Sequence, residues 1–249
     1  MSCILNIETS TNVCSVAVSQ DGACIFSKED HSGPNHAVRL GTFIDEAISF
    51  ADSHAIPLDA VAVSCGPGSY TGLRIGVSMA KGICYGRDIK LIAVPTLELL
   101  TVPVLLTHEP EPGALLCPML DARRMEVYSG IYDRSLKEVR GVQADVVDAD
   151  TYKEFLDKGK VYFFGNGACK CIEAINHPNA VLIKGIEPEV GKKPHIDWIQ
   201  ARHPLLQLSL EKQDKKVVPL DIMLTKDKRI LIISVSYTHL RAHETVLDL

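Results

Sequence analysis

Ser64-Cys65-Gly66-Pro67-Gly68-Ser69-Tyr70-Thr71-Gly72-Leu73-Arg74-Ile75-Gly76 is the stretch whose reading decides the fold. An apolar run that reads as a strand, Leu58 to Ser64, leads into it, and an apolar run that reads as a helix, about Thr71 to Gly86, leads out. Its glycines therefore sit at a strand-to-helix turn, where backbone N–H groups point above the helix start in a geometry suited to an anion. The spacing matches neither common phosphate loop. A Walker loop needs Gly, four residues, then Gly-Lys-Ser/Thr, and a dinucleotide fingerprint needs glycine where Thr71 stands. Within the helix, Gly72, Gly76 and Ala80 recur at four-residue steps and make one flat face. Helical glycine costs ~1 kcal/mol relative to alanine, so the face implies close packing, either inside the protein or against a partner.

The chain has 249 residues, 46% hydrophobic and 23% charged, enough for a buried core in one or two domains. A net charge of -5 argues against tight, salt-dependent RNA binding by the chain alone, while leaving room for a local basic patch. The eight cysteines lie mostly in apolar runs without a CxxC pair and read as reduced, buried thiols. No apolar run approaches the ~20 residues that span a bilayer, and no signal-peptide pattern opens the chain, so the expectation is a cytoplasmic protein without a membrane partner. His239 and His243 are four apart, but Leu240 stands where a metalloprotease needs Glu. Gly66 to Tyr70 misses the Gly-x-Ser-x-Gly elbow. No catalytic residue and no metal ligand is named.

In order, Cys3 to Glu8, Cys14 to Ser19 and Cys24 to Asp30 read as three antiparallel strands, the last two joined at Asp21-Gly22. Asn35 to His54 is an amphipathic helix, Val61 to Ser64 a strand before the glycine stretch, and Leu91 to Val94 a strand before a helix opened by Pro95. Thr101 to Gly113, with Pro103, Pro110 and Pro112, reads as a loop between lobes. Beyond it come strands at Leu115 to Leu120, Met125 to Tyr132, Glu138 to Val147 and Val161 to Phe164, and helices at Asp148 to Leu156 and after Gly165-Asn166-Gly167. A meander followed by alternating helices and strands predicts an α/β fold with mixed sheets.

GPGSYTGLRIG, with the opening ILNIETS and the later LDARRMEVY, resembles the TsaB family from Met1 to about Gly185. The resemblance implies the actin, sugar kinase and Hsp70 superfold. It implies a complete first lobe over 1–105, a degenerate and truncated second lobe over 106–187, and a non-native extension over 188–249. It also implies a scaffold or dimerisation subunit, not itself an enzyme, required for threonylcarbamoyladenosine formation in tRNA. The partners would be a homologous catalytic transferase and a small ATPase subunit, with tRNA reached through the complex and a homodimer when the chain is alone. The partner-binding residues implied are Leu40, Phe43, Ile44, Thr71, Gly72, Arg74, Ile75, Gly76, Met79 and Ala80. In the superfold the turn after the first strand grips phosphate, which makes Glu8, Thr9, Ser10, Gly66 and Gly68 anion-binding candidates, although turn chemistry alone also explains Thr9 to Thr11. Asn12 and Val13 stand where the catalytic sister has acidic residues, so ATP and magnesium are expected at the level of the complex and no cofactor in this chain. The competing class is a stand-alone ATP-dependent phosphotransferase or ATPase. Asp121 to Arg124 ends a strand and reads either as a ligand or partner contact or as a salt-bridged terminus. Lys193 to Ser234 resembles MutS-like ATPases without their Walker loop, and Val235 to Leu249 resembles adaptor read-through.

Overall fold

The computed structural model describes residues 2–33, 35–108, 110–188, 230–235 and 237–242. The chain runs β1 (Cys3–Glu8), β2 (Cys14–Gln20), β3 (Ala23–Asp30), α1 (His36–Ser53), β4 (Ala60–Ser64), α2 (Tyr70–Arg87), β5 (Lys90–Val94) and α3 (Thr96–Thr107). It continues with β6 (Leu115–Asp121), β7 (Glu126–Tyr132), β8 (Glu138–Val146), α4 (Lys153–Leu156), β9 (Val161–Phe164), α5 (Ala168–Ile175) and β10 (Ala180–Leu182). The first sheet has the order β3-β2-β1-β4-β5, and the second, read from its far edge, β8-β7-β6-β9-β10. In each, three strands meander antiparallel and two more join parallel. One topology thus occurs twice, so the second lobe keeps every strand of the first. What it has lost is length: α4 has 4 residues and β10 has 3, against 18 in α1 and 5 in β5.

Alternation along β1 sorts its side chains between two cores. Cys3, Leu5 and Ile7 face α1 and α2, with Leu40, Ile44, Ala47, Ala51 and Ala80 in the same cluster. Ile4 faces the other way, towards α3, in a cluster that also takes Leu116, Leu120, Tyr132 and Phe164 from the second sheet. The Thr101 to Gly113 stretch was expected as a loop, yet it is helical to Thr107 with Pro103 inside. Nine of the twelve residues of α3 are buried, and burial against both sheets outweighs the local cost of the proline. A boundary at 105/106 therefore falls inside the element that joins the lobes. Likewise, the helix expected from Asp148 begins only at Lys153. The Asp148 side chain accepts from the N–H groups of Asp150 and Thr151, and this local turn replaces the first helical one.

The second lobe has its own core, with Cys117, Met119, Val127, Tyr152, Phe155 and Phe163. On its flank Asp145 accepts from Ser129, Arg140 and Tyr152, a buried charge held by a full set of donors. Residues 230–235 and 237–242 form an antiparallel pair of strands, β11 (Ile230–Val235) and β12 (Tyr237–Ala242). Ile230 to Ile233 therefore pairs with a neighbouring segment instead of extending either main sheet. The remainder of the MutS-like stretch, residues 193–229, lies outside the described residues. All eight cysteines are free. Among the described residues no helix is long and apolar enough to cross a membrane.

Candidate functional site

Because β4 runs parallel to β1, the turn after β1 and the turn before α2 lie side by side at one end of the first sheet. The Ser69 N–H donates to the Ser10 carbonyl at 2.6 Å, while the Ser69 hydroxyl caps α2 by accepting from the Gly72 N–H at 3.3 Å. A Cβ on Gly68 would collide with the Ser10 carbonyl, one on Gly72 with the Thr9 carbonyl, and one on Gly76 with Thr9 Oγ1. The glycine spacing is therefore a seat, since it lets α2 lie directly on the backbone of residues 9–10. His36, at the start of α1, closes the third side: its Nε2 donates to the Thr11 carbonyl at 2.8 Å, and its ring touches the Gly72 position.

The consequence for the anion candidates is burial. Glu8 and Thr9 are 0% exposed and Ser10 is 1% exposed, with Gly66 and Gly68 half-buried above them. Glu8 Oε1 accepts from the Ser10 N–H at 2.5 Å and from Ser64 Oγ at 3.0 Å. Burial still pushes the Glu8 carboxyl up to about 7, against hydrogen bonds that pull it down. Glu8 Oε2, Thr9 Oγ1, Ser10 Oγ and His36 Nδ1 find no partner among the described residues. This donor set suits neither a phosphate nor a magnesium nucleotide. Its one carboxylate is sealed, Asn12 contributes no charge, and among the described residues no three His, Cys, Asp or Glu side chains form a metal cluster.

The ten partner-binding candidates fall into three groups. Leu40, Ile44, Gly72, Gly76 and Ala80 are buried within this chain, and their spacing serves its own core. Phe43, Ile75 and Met79 are half-buried against the same core, with Met79 Cε 3.9 Å from the Gly41 Cβ position where α1 and α2 touch. Only Thr71 and Arg74 are exposed. Elsewhere on these helices the exposed large apolar residues are Val38 near the start of α1, 74% exposed, and Tyr85 near the end of α2, 92% exposed. Gly82 and Gly86 of α2 have open space around them. The sequence holds this signal, because Gly82 and Gly86 repeat the four-residue step on a different face. Arg74 lies over the Tyr70 ring at 5.2 Å and lines, with Leu73, Val77 and Lys81, a groove of about 750 Å³. Tyr128, Val142, Gln143 and Ala144 of the second lobe form its other wall.

At the matching end of the second sheet, Asp121 is tied into a different arrangement. Lys170 Nζ donates to its Oδ1 at 2.5 Å and to the Glu126 carbonyl at 2.8 Å, and the Arg123 N–H donates to the same carboxylate at 2.8 Å. These donors outweigh partial burial and hold the Asp121 carboxyl below its ordinary range. Here too glycines make the seat. A Cβ on Gly165 would collide with the Met119 carbonyl, and one on Gly167 would press on Leu120 and Asp121.

A duplicated mixed α/β sheet with a glycine-seated turn at the end of each first strand defines a two-lobed protein of the actin-like class. The family model described as TsaD, tRNA N6-adenosine threonylcarbamoyltransferase, matches residues 30–161, more than half of the chain, and the chain belongs to that family. Proteins named TsaB are among its relatives. The chain is 29% identical over 203 residues to the tRNA threonylcarbamoyladenosine biosynthesis protein TsaB of Bacillus subtilis, covering 81% of this chain and 82% of that one. It is 30% identical over 131 residues to the Escherichia coli protein of the same name, a match spanning about half of each, 53% and 55%. Among solved structures, YeaZ from Pseudomonas aeruginosa shares the fold at a TM-score of 0.64 and 22% identity, covering 86% of this chain and 93% of that one. A match over 81% of the chain cannot fit before Gly185, so the likeness extends past the point where the sequence motifs end.

Proposed function

We propose that this chain is a scaffold subunit in threonylcarbamoyladenosine biosynthesis, which supports a homologous catalytic transferase without catalysing the transfer itself. The observation that carries this reading is the sealed turn at Glu8 to Ser10. The position from which the superfold grips phosphate is filled by the chain's own α2, seated through Gly68, Gly72 and Gly76. ATP, magnesium, the small ATPase subunit and tRNA then belong to the complex, and a homodimer forms when the partner is missing. The function is assigned to the two-lobed unit up to Pro188 and none of it to residues 235–249.

We place the docking surface on the exposed side of α2 around Gly82 and Tyr85, because Gly82 and Gly86 have open space around them and Tyr85 is 92% exposed. Helical glycines let a partner helix approach closely. Gly82→Lys tests this cleanly, because replacing an exposed helical glycine should stabilise the chain by ~1 kcal/mol while placing a charged side chain on the docking face. Co-purification with the transferase of the same source is expected to be lost, with Tm unchanged or raised. Normal co-purification of the folded variant would refute the surface, and ATP hydrolysis at an enzyme's ordinary rate by the isolated chain would refute the scaffold.

A further inference from the structure

The turn joining β6 to β7 holds two consecutive arginines in the left-handed region, Arg123 at φ 78° and Arg124 at φ 45°. Neither is glycine or asparagine, the residues that adopt this conformation at low cost. Both side chains are exposed, and among the described residues neither has an ion-pair partner. The bonding around Asp121 explains why. Asp121, the acid on which the turn closes, is already bound by Lys170 Nζ and by the Arg123 N–H, so it leaves both guanidinium groups unneutralised. The turn is closed by backbone bonds from the Ala122 N–H to the Glu126 carbonyl and from the Glu126 N–H to the Arg123 carbonyl. The turn after β6 thus presents two adjacent exposed arginines with no ion pair among the described residues, on a chain whose net charge is -5.

We propose that Arg123 and Arg124 dock the phosphodiester backbone of RNA. Guanidinium forks pair with phosphate oxygens bidentately, which makes arginine the favoured side chain for this contact. The choice of RNA over an acidic protein rests on the scaffold reading, in which the complex acts on tRNA; the cationic turn itself does not.

The test is tRNA binding by the chain in complex with its transferase, using an unmodified tRNA transcript over a salt series. The parent is compared with Arg123→Gln/Arg124→Gln and with Arg124→Gly. The double variant should bind roughly tenfold more weakly at low salt, with the slope of log K against log salt reduced by about one to two. Arg124→Gly should also weaken RNA binding while melting higher, because glycine accepts the left-handed conformation freely. Equal affinity and slope in parent and double variant would overturn the proposal, as would Arg-dependent binding of polyglutamate with no Arg-dependent binding of tRNA. Co-purification with the transferase, scored in parallel, separates the two readings. Its loss in the parent defeats the scaffold, whereas an unchanged salt slope with assembly intact defeats only the RNA contact.

Discussion

Glu8 and Asp121 occupy the same position in a repeated topology, each the last residue of the first strand of its sheet, and the structure treats them in opposite ways. Glu8 is covered by α2 and has its carboxyl pushed up by desolvation, whereas Asp121 is half exposed and held down by Lys170 and the Arg123 N–H. In both lobes glycines of the following strand-to-helix turn touch this strand end. What differs is the helix behind them. α2 lays Gly72 and Gly76, its third and seventh residues, on the turn, while α5 has Lys170 at its third and sends its ammonium to the strand end. Side-chain size at these helix positions thus separates a closed turn from an open, charged one.

The comparison breaks most completely at Gly76. A leucine there has to displace Thr9, which is fully buried between β1 and α2, so Gly76→Leu should cost ~3 kcal/mol or more. Chemical denaturation is expected to show a much lower midpoint or no folded protein at all. A leucine variant of near-parental stability would mean that α2 does not sit on the turn.

This outcome also marks what the sequence carries. The period of Gly72, Gly76 and Ala80 discloses a face of close approach, but a period cannot say what covers that face. The covering partner proved to be residues 9–10 of the same chain, brought there by the parallel pairing of β1 and β4, a long-range fact invisible in local spacing. Val61 to Ser64 and the GPG turn were legible because apolar runs and glycines report directly on strand and turn. α3 was cut short in the reading because Pro103 speaks for a break, and only burial between two sheets overrules it. β10 went unread, since three residues give no period. At the second strand end the pattern of Asp121 to Arg124 suggested a salt bridge, and one exists. Its partner is Lys170, however, 49 residues away, and not either neighbouring arginine.

A medium effect should separate the two carboxyls by pH. Glu8 has a folded value of about 7 against an ordinary 4.5, so below pH 4.5 both folded and unfolded chains hold its proton and it costs nothing. As pH rises to about 7 the unfolded chain releases the proton first, and stability falls by up to ~3 kcal/mol. Glu8→Gln should therefore stabilise the protein more at pH 8 than at pH 5, measured by urea midpoints at the two values. A difference of zero would mean that the carboxyl is ionised in the folded protein at pH 5 as well.

The smallest effect is expected at Asp121, and with the opposite sign. Its folded carboxyl lies below the ordinary carboxylate value, so it contributes stability above that value and loses it as pH falls through the folded one. The side chain is 47% exposed and its Lys170 partner 25%, so water and salt screen the pair. Discounted for that screening, Asp121→Ala should cost about 1 kcal/mol or less at pH 7 and less still at pH 3. The substitution also frees Lys170 and removes the acceptor of the Arg123 N–H, both at the second strand end and away from the exposed side of α2. Transferase co-purification should therefore persist. Loss of assembly in an Asp121→Ala variant that melts normally would move the docking surface to the second lobe, and the open strand end, not the sealed one, would then be where the subunit meets its partner.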